Sequence, residues 1–91
     1  MLEREVSATP DEFRRGLALA FPGLVVEINN VLRVDDGGAA MEISLTPGIS
    51  RVIAAITLPS LHVTIKFLRG TTAEQAAMLA RMDLAMQRGG G

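Results

Sequence analysis

The chain has 91 residues, 48% of them hydrophobic and 21% charged, with ten acidic and nine basic side chains and a formal net charge of -1. This composition is typical of a globular protein and excludes a disordered chain, and the length allows a single domain over residues 1–91. The absence of cysteine excludes disulfides, zinc–thiolate sites and iron–sulfur clusters, and a lone histidine excludes a multi-histidine metal site, so the sequence predicts no metal and no cofactor.

The first predicted element is a helix that follows a short lead-in. Residues 1–8 carry three charged side chains in succession, and the sequence assigns them only a lead-in of uncertain order. Thr9 has the hydroxyl of a helix N-cap, and Pro10 suits the first helical position. Apolar residues then recur at helical spacing up to Phe21, and a Pro-Gly pair ends the helix.

Four β-strands are predicted next, because the apolar period changes from helical to two. The first is a long strand over residues 24–34, bulged near Asn29-Asn30, with Leu24, Val26 and Ile28 facing the core. An Asp-Asp-Gly-Gly sequence at residues 35–38 has the composition of a hairpin loop. The remaining strands are predicted over residues 40–46, 51–58 and 61–68, with reversals at Pro47-Gly48 and Pro59-Ser60.

A second helix completes the predicted fold. Overlapping capping boxes that begin at Thr71 and Thr72 start this helix, which extends to about Arg88, and residues 89–91 are predicted to be a frayed tail. The connections between strands are too short for parallel neighbours. We therefore predict a two-layer α+β fold: a four-stranded antiparallel meander with N- and C-terminal helices on one face, in the order α-β-β-β-β-α.

The sheet face away from the helices carries the candidate ligand-binding residues. In the predicted register one cross-strand row contains Asn29, Ser44, Ile53 and Lys66, and Arg51 lies in the neighbouring row. Under this hypothesis Arg51 and Lys66 receive an anion, while Asn29 and Ser44 orient it. The same residue types are also typical of a solvated sheet face, so both interpretations stay open.

No motif in the sequence favours catalysis. The serines lie in no nucleophile motif, and a hydroxyl without a base partner is a weak nucleophile. His62 is interpreted as a surface residue near a turn, in preference to a proton shuttle. We therefore predict no catalytic residue.

Three functions stay open on this evidence. The first is a non-catalytic interaction or assembly module that forms a homodimer. Residues 61–68 are predicted to form a sheet edge, and Lys66 is their sole fully charged residue that discourages pairing with another chain. The second is a small-ligand, anion-binding or enzymatic domain that uses the open face. The third is a subunit that docks on a partner through the stripe of Met78, Met82 and Met86, although this helical spacing favours a stripe that faces the core.

Charge and hydropathy limit the other partners. A net charge near zero does not attract nucleic acid, and the chain has no Tyr or Trp for base stacking. No segment reaches the roughly 20 apolar residues of a membrane span, and the apolar run after Arg14-Arg15 is too short for an export signal. We predict a cytoplasmic protein, and the preference for arginine over lysine is typical of a GC-rich bacterium.

Overall fold

The computed structural model describes residues 1–89, which form seven strands and two helices. The elements are β1 Leu2–Val6, α1 Pro10–Ala20, β2 Val25–Ile28, β3 Val31–Asp35, β4 Ala40–Pro47, β5 Arg51–Ile53, β6 Ile56–Leu58, β7 Leu61–Arg69 and α2 Thr72–Gly89. Helix α2 thus extends into the predicted frayed tail. Residues 90 and 91 of that tail lie outside the described residues.

Five of the strands form one antiparallel sheet in the order β1-β7-β4-β3-β2. Both helices contribute to a single core with the inner side chains of this sheet. The predicted α+β class, with an antiparallel sheet and two helices, is therefore confirmed. The predicted strand number and element order are wrong, because the main sheet has five strands and the chain begins with a strand.

The additional strand is β1, which lies within the predicted lead-in. Its residues alternate between the two sheet faces: Leu2 and Val6 pack against the core, whereas Glu3 and Glu5 are exposed. The charged residues obscure this period in the sequence. Arg4 is tolerated on the helix-covered face because its guanidinium reaches Asp83 of α2, 3.6 Å away. Strand β1 pairs along β7 and covers the edge that the sequence analysis left free for a second copy.

The predicted long strand over residues 24–34 is instead a tight hairpin of β2 and β3. Asn29 and Asn30 both have positive φ angles, 52° and 65°, as the central residues of a type I′ turn require. Asparagine adopts this left-handed conformation more readily than most residues. The reversal inverts the faces of β2, so Val26 and Ile28 are exposed and do not face the core.

The predicted strand over residues 51–58 is also wrong, because β5 and β6 form a separate two-stranded ribbon. The backbone does not reverse at Pro47-Gly48. Gly48 N–H donates to the carbonyl of Ser60 at 2.8 Å, which continues the pairing of β4 with β7. The reversal comes after Ile53, where Ala54 has a φ of 55°. We call residues 48–60 the arm.

Both helix starts agree with their predicted caps. Thr9 Oγ1 accepts from the Glu12 amide at 3.2 Å, and the Glu12 carboxylate accepts from the Thr9 amide at 2.9 Å. Thr71 and Glu74 form the same reciprocal pair before α2. The core side chains that these helices contribute include Phe13, Leu17, Phe21, Met78 and Met82.

Candidate functional site

The four predicted ligand residues do not come together in one site. Ser44 and Lys66 share the open face, defined as the sheet face away from the helices, but Ser44 pairs with Thr64 and Lys66 lies opposite Glu42. Asn29 lies in the β2–β3 turn, and Arg51 lies on the arm. The predicted row of these residues is therefore absent, because the chain reverses at two points that the sequence analysis treated as continuous strand.

The open face instead brings together three ionisable groups, which we call the His62 cluster: Glu3, Glu5 and His62. Strands β1 and β7 place Glu5 directly opposite His62, and Glu3 is two residues away on the same face of β1. His62 Nδ1 lies 2.6 Å from Glu5 Oε1, and His62 Nε2 lies 3.1 Å from Glu3 Oε1. Each ring nitrogen thus faces a different carboxylate.

The two carboxylates perturb the titration of the histidine, and the histidine perturbs theirs in turn. Hydrogen bonds to Glu5 and then to Glu3 raise the pKa of His62 above its ordinary value of 6.5. The hydrogen bond from His62 is the main reason that the pKa of Glu5 is lowered from 4.5. Ser60 and Arg51 lower the pKa of Glu5 further, through a hydrogen bond and through charge respectively.

A shallow cavity of about 240 Å³ lies beside the cluster, at the base of the arm. Its lining residues come from β1, the segment after β1, and the two ends of the arm: Glu5, Val6, Ser7, Arg51, Pro59 and Ser60. The cavity therefore connects the first strand to the arm. It also places Arg51 near Glu5.

These groups are not arranged as an activated nucleophile. Ser60 Oγ donates to Glu5 Oε2 at 3.3 Å, so the carboxylate lies between the hydroxyl and the imidazole. In a hydrolase triad the imidazole contacts the hydroxyl directly and takes its proton. No hydrogen bond joins His62 to Ser60 in the described part of the chain.

The cluster is also unsuited to a metal ion. Among residues 1–89, no group of three or more His, Asp or Glu side chains is placed to hold one. The reason is geometric: Glu3 and Glu5 approach opposite nitrogens of the ring, so the three groups do not converge on one point. Metal ligands must surround a common centre at about 2.0–2.6 Å.

The arm is the second notable surface, because its large apolar side chains are exposed. The exposed fraction is 92% for Ile49, 70% for Val52, 59% for Ile53 and 62% for Ile56. Ile53 and Ile56 are cross-strand partners, so they lie on one face of the ribbon. The arm projects beyond the sheet along the direction of β4 and β7, in agreement with the overall dimensions of 44 × 26 × 23 Å.

Neither surface was predicted from the sequence, for identifiable reasons. The alternation of Leu2, Glu3, Arg4, Glu5 and Val6 was a strand signal, and recognising it would have placed two carboxylates beside β7. The arm had the opposite problem. Its alternating apolar residues are a strong strand pattern, but nothing in that pattern distinguishes a core strand from a projecting ribbon.

Comparison with known proteins gives no further guidance on the site. No protein-family model matches the chain, and no curated protein matches it significantly. Within the described part of the chain, neither helix combines the length and the apolar character needed to cross a membrane.

Proposed function

We propose that this protein is a small non-catalytic assembly module that forms a homodimer through the arm, with a second copy of the chain as the partner. The observation that carries this proposal is the exposure of four large apolar side chains on the arm, between 59% and 92% for each of them. Contiguous exposed apolar surface of this kind marks interaction sites in soluble proteins.

The arm gains little stability from its own chain. An isolated two-stranded ribbon is marginally stable in water, because one face or both must be covered by other elements. Strands β5 and β6 pair with each other and with no strand of the main sheet. Arg51 is the one charged residue within residues 48–60, so few groups on the arm favour its solvation. Contact with another protein surface supplies the missing cover.

Two features favour a second copy as that partner. Ile53 and Ile56 share a ribbon face with Arg51, which lines the cavity beside Glu5. The open face offers the exposed apolar side chains of Val26 and Ile28 at one edge, on β2. In a two-fold dimer each subunit contributes both an arm and a receiving face, so the same two patches are buried twice.

Electrostatics is compatible with this arrangement. The chain has a net charge of -1, so two copies do not repel one another strongly. The open face carries acidic and basic groups side by side, Glu3 and Glu5 with His62 and Glu42 with Arg33. It therefore presents no strong field of either sign to Arg51, the single charge of the arm.

The test is the mass of the protein in solution, measured by light scattering after size exclusion from about 10 µM to about 1 mM. We expect twice the chain mass of 9.7 kDa, which is about 19 kDa. The double variant Ile53→Ser/Ile56→Ser should be a monomer with an unchanged circular dichroism spectrum, because both residues are exposed. A wild-type mass of 9.7 kDa at the highest concentration contradicts the proposal.

A matched control separates this proposal from docking through the C-terminal helix. Met78 and Met82 are each 1% exposed and are therefore not accessible to a partner. The large apolar side chain that α2 does expose is Leu84, which is 52% exposed. Leu84→Ser should leave the dimer intact. If Leu84→Ser abolishes the dimer and the arm variant does not, the interface lies on α2.

Binding of an anion to the open face is the alternative function, with Ser44 and Lys66 as the two predicted residues that share that face. We also propose a cytoplasmic location in a bacterium, with neither nucleic acid nor membrane as a partner, on the composition alone.

A further inference from the structure

Strand β1 is held on the sheet by its backbone pairing with β7 and by a small number of side chains. Strand β1 has five residues and lies at the edge, where β7 is its one strand neighbour. On the open face, its contacts with β7 include the two hydrogen bonds of the His62 cluster. On the other face, Leu2 and Val6 pack against the core and Arg4 forms the ion pair with Asp83.

The protonation state of His62 follows from its geometry. An ionised carboxylate can accept hydrogen bonds but cannot donate them. Both ring nitrogens lie within hydrogen-bond distance of a carboxylate oxygen, so both must donate. A neutral imidazole donates from one nitrogen only, whereas the imidazolium donates from both. The observed arrangement is therefore that of a protonated His62 between two ionised glutamates.

We propose that His62 forms a pH-sensitive latch, by which we mean the two hydrogen bonds from its imidazolium to Glu3 and Glu5 that hold β1 against β7. The neutral form of His62 donates one of these two hydrogen bonds and loses the other. Neutral His62 keeps a hydrogen bond to one glutamate and turns a lone pair towards the other. The lost contact loosens the strand that covers the edge of β7. This inference goes beyond the proposed assembly function and holds for a monomer as well as for a dimer.

The other charged groups near the cluster do not replace this interaction. On β4, the residue opposite His62 is the uncharged Thr46. On β7 itself, Lys66 lies on the same face four residues away, opposite Glu42 of β4. On the arm, Arg51 acts on Glu5. The helices pack on the opposite face, where the charged partner of β1 is Asp83 of α2.

The direction of the pH dependence follows from the raised pKa of His62. A group whose pKa is higher in the folded state stabilises that state fully below its ordinary value, here 6.5, and loses the contribution as the pH rises through the folded value. The pKa of Glu5 is lowered, so its part is present above 4.5 and lost in acid. The latch is therefore complete between these limits and weakens as the pH rises through the raised pKa of His62.

The experiment uses the full chain and two measurements by NMR. His62 is the sole histidine, so its ring proton resonance gives an unambiguous titration curve. Amide exchange, corrected for the intrinsic pH dependence, gives the protection of β1 relative to β4. We expect His62 to titrate above 6.5, and the relative protection of β1 to fall about twofold to fivefold between pH 6 and pH 8.5, the range expected for an exposed ion pair.

Two variants make the result specific to the cluster. In Glu3→Gln/Glu5→Gln, His62 should titrate close to 6.5 and the protection of β1 should no longer depend on pH. Glu42 lies on the same face, but its carboxylate forms an ion pair with Arg33 and does not contact His62. Glu42→Gln should therefore leave both measurements at their wild-type values. All of these substitutions are on side chains exposed enough to preserve the fold.

The latch and the dimer can fail separately. Repeating both measurements in the Ile53→Ser/Ile56→Ser variant shows whether the pH response needs the arm interface. A titration of wild-type His62 at or below 6.5 overturns the latch, as does a relative protection of β1 that is constant from pH 6 to pH 8.5. Neither outcome affects the mass measurement on which the assembly proposal depends.

Discussion

The placement of the arm outside the core can be tested with two isoleucine-to-alanine substitutions. Ile65 of β7 is fully buried, whereas Ile56 of the arm is 62% exposed. Each substitution removes three carbon atoms, worth about 2.4 kcal/mol of transfer free energy if fully buried. At Ile65 the residual cavity brings the expected loss of unfolding free energy to about 3–4 kcal/mol. At Ile56 the loss should be at most about 1 kcal/mol, because most of the side chain already contacts water.

Urea unfolding followed by far-ultraviolet circular dichroism measures both losses, since the chain has no Trp or Tyr for fluorescence. Thermal unfolding should give the same order, with a midpoint lowered by about 12–32 °C for Ile65→Ala. Two protein concentrations are needed, because a dimer adds stability that depends on concentration. Equal losses for the two variants at the lower concentration would place Ile56 in a core strand, as the sequence analysis predicted, and would refute the arm.

Two further predictions concern the backbone. Thr9→Ala should lower the unfolding free energy by about 1 kcal/mol because the capping box with Glu12 is lost, and Thr9→Ser, which keeps the hydroxyl, should lower it by clearly less; urea unfolding measures both. Gly70 has a φ of +115° and an added Cβ would lie 2.8 Å from the Cβ of Ala39, so Gly70→Ala should cost about 2–3 kcal/mol, at the upper end of the range for a strained residue. Gly23 also has a positive φ but open space around it, so Gly23→Ala should cost about 1 kcal/mol, and equal losses at the two glycines would exclude the steric contribution.

The helices could be predicted from the sequence because their ends are encoded locally. Thr9 and Thr71 each cap a helix through a carboxylate three residues later, a spacing that can be read without knowledge of the fold. The methionine spacing likewise predicted a core-facing stripe, and Met78 and Met82 are buried. Local signals sufficed where local contacts determine the structure.

The strands could be predicted as extended segments but not as a sheet. Asn29-Asn30 permits either a bulge or a type I′ turn, and the choice depends on whether β2 and β3 gain more by pairing with each other. Ala54 gives still less warning, because alanine is uncommon at a positive φ. Each reversal that was not predicted changes the cross-strand register of the residues that follow it. The candidate row of Asn29, Ser44 and Lys66 was lost for that reason, although the outward orientation of Ser44 and Lys66 was correct.

The two edge strands of the main sheet carry groups that discourage association with another chain, whereas the arm does not. Edge strand β1 carries three consecutive charged residues, Glu3 to Glu5, which discourage pairing with another chain. Edge strand β2 has four residues, and its Glu27 is held by Arg14 of α1 at 3.0 Å. The arm has neither protection: its exposed residues are mainly aliphatic, and its single charge lies at its base.

Both edges of the main sheet are thus protected, whereas the aliphatic side chains of the arm are exposed. The edge of β7, which first indicated self-association, is covered within the chain by β1. The arm therefore replaces that edge as the surface through which we propose that two copies meet. The proposed contact differs from edge pairing in one measurable respect: it depends on side chains and not on backbone hydrogen bonds, so serine at Ile53 and Ile56 should abolish it.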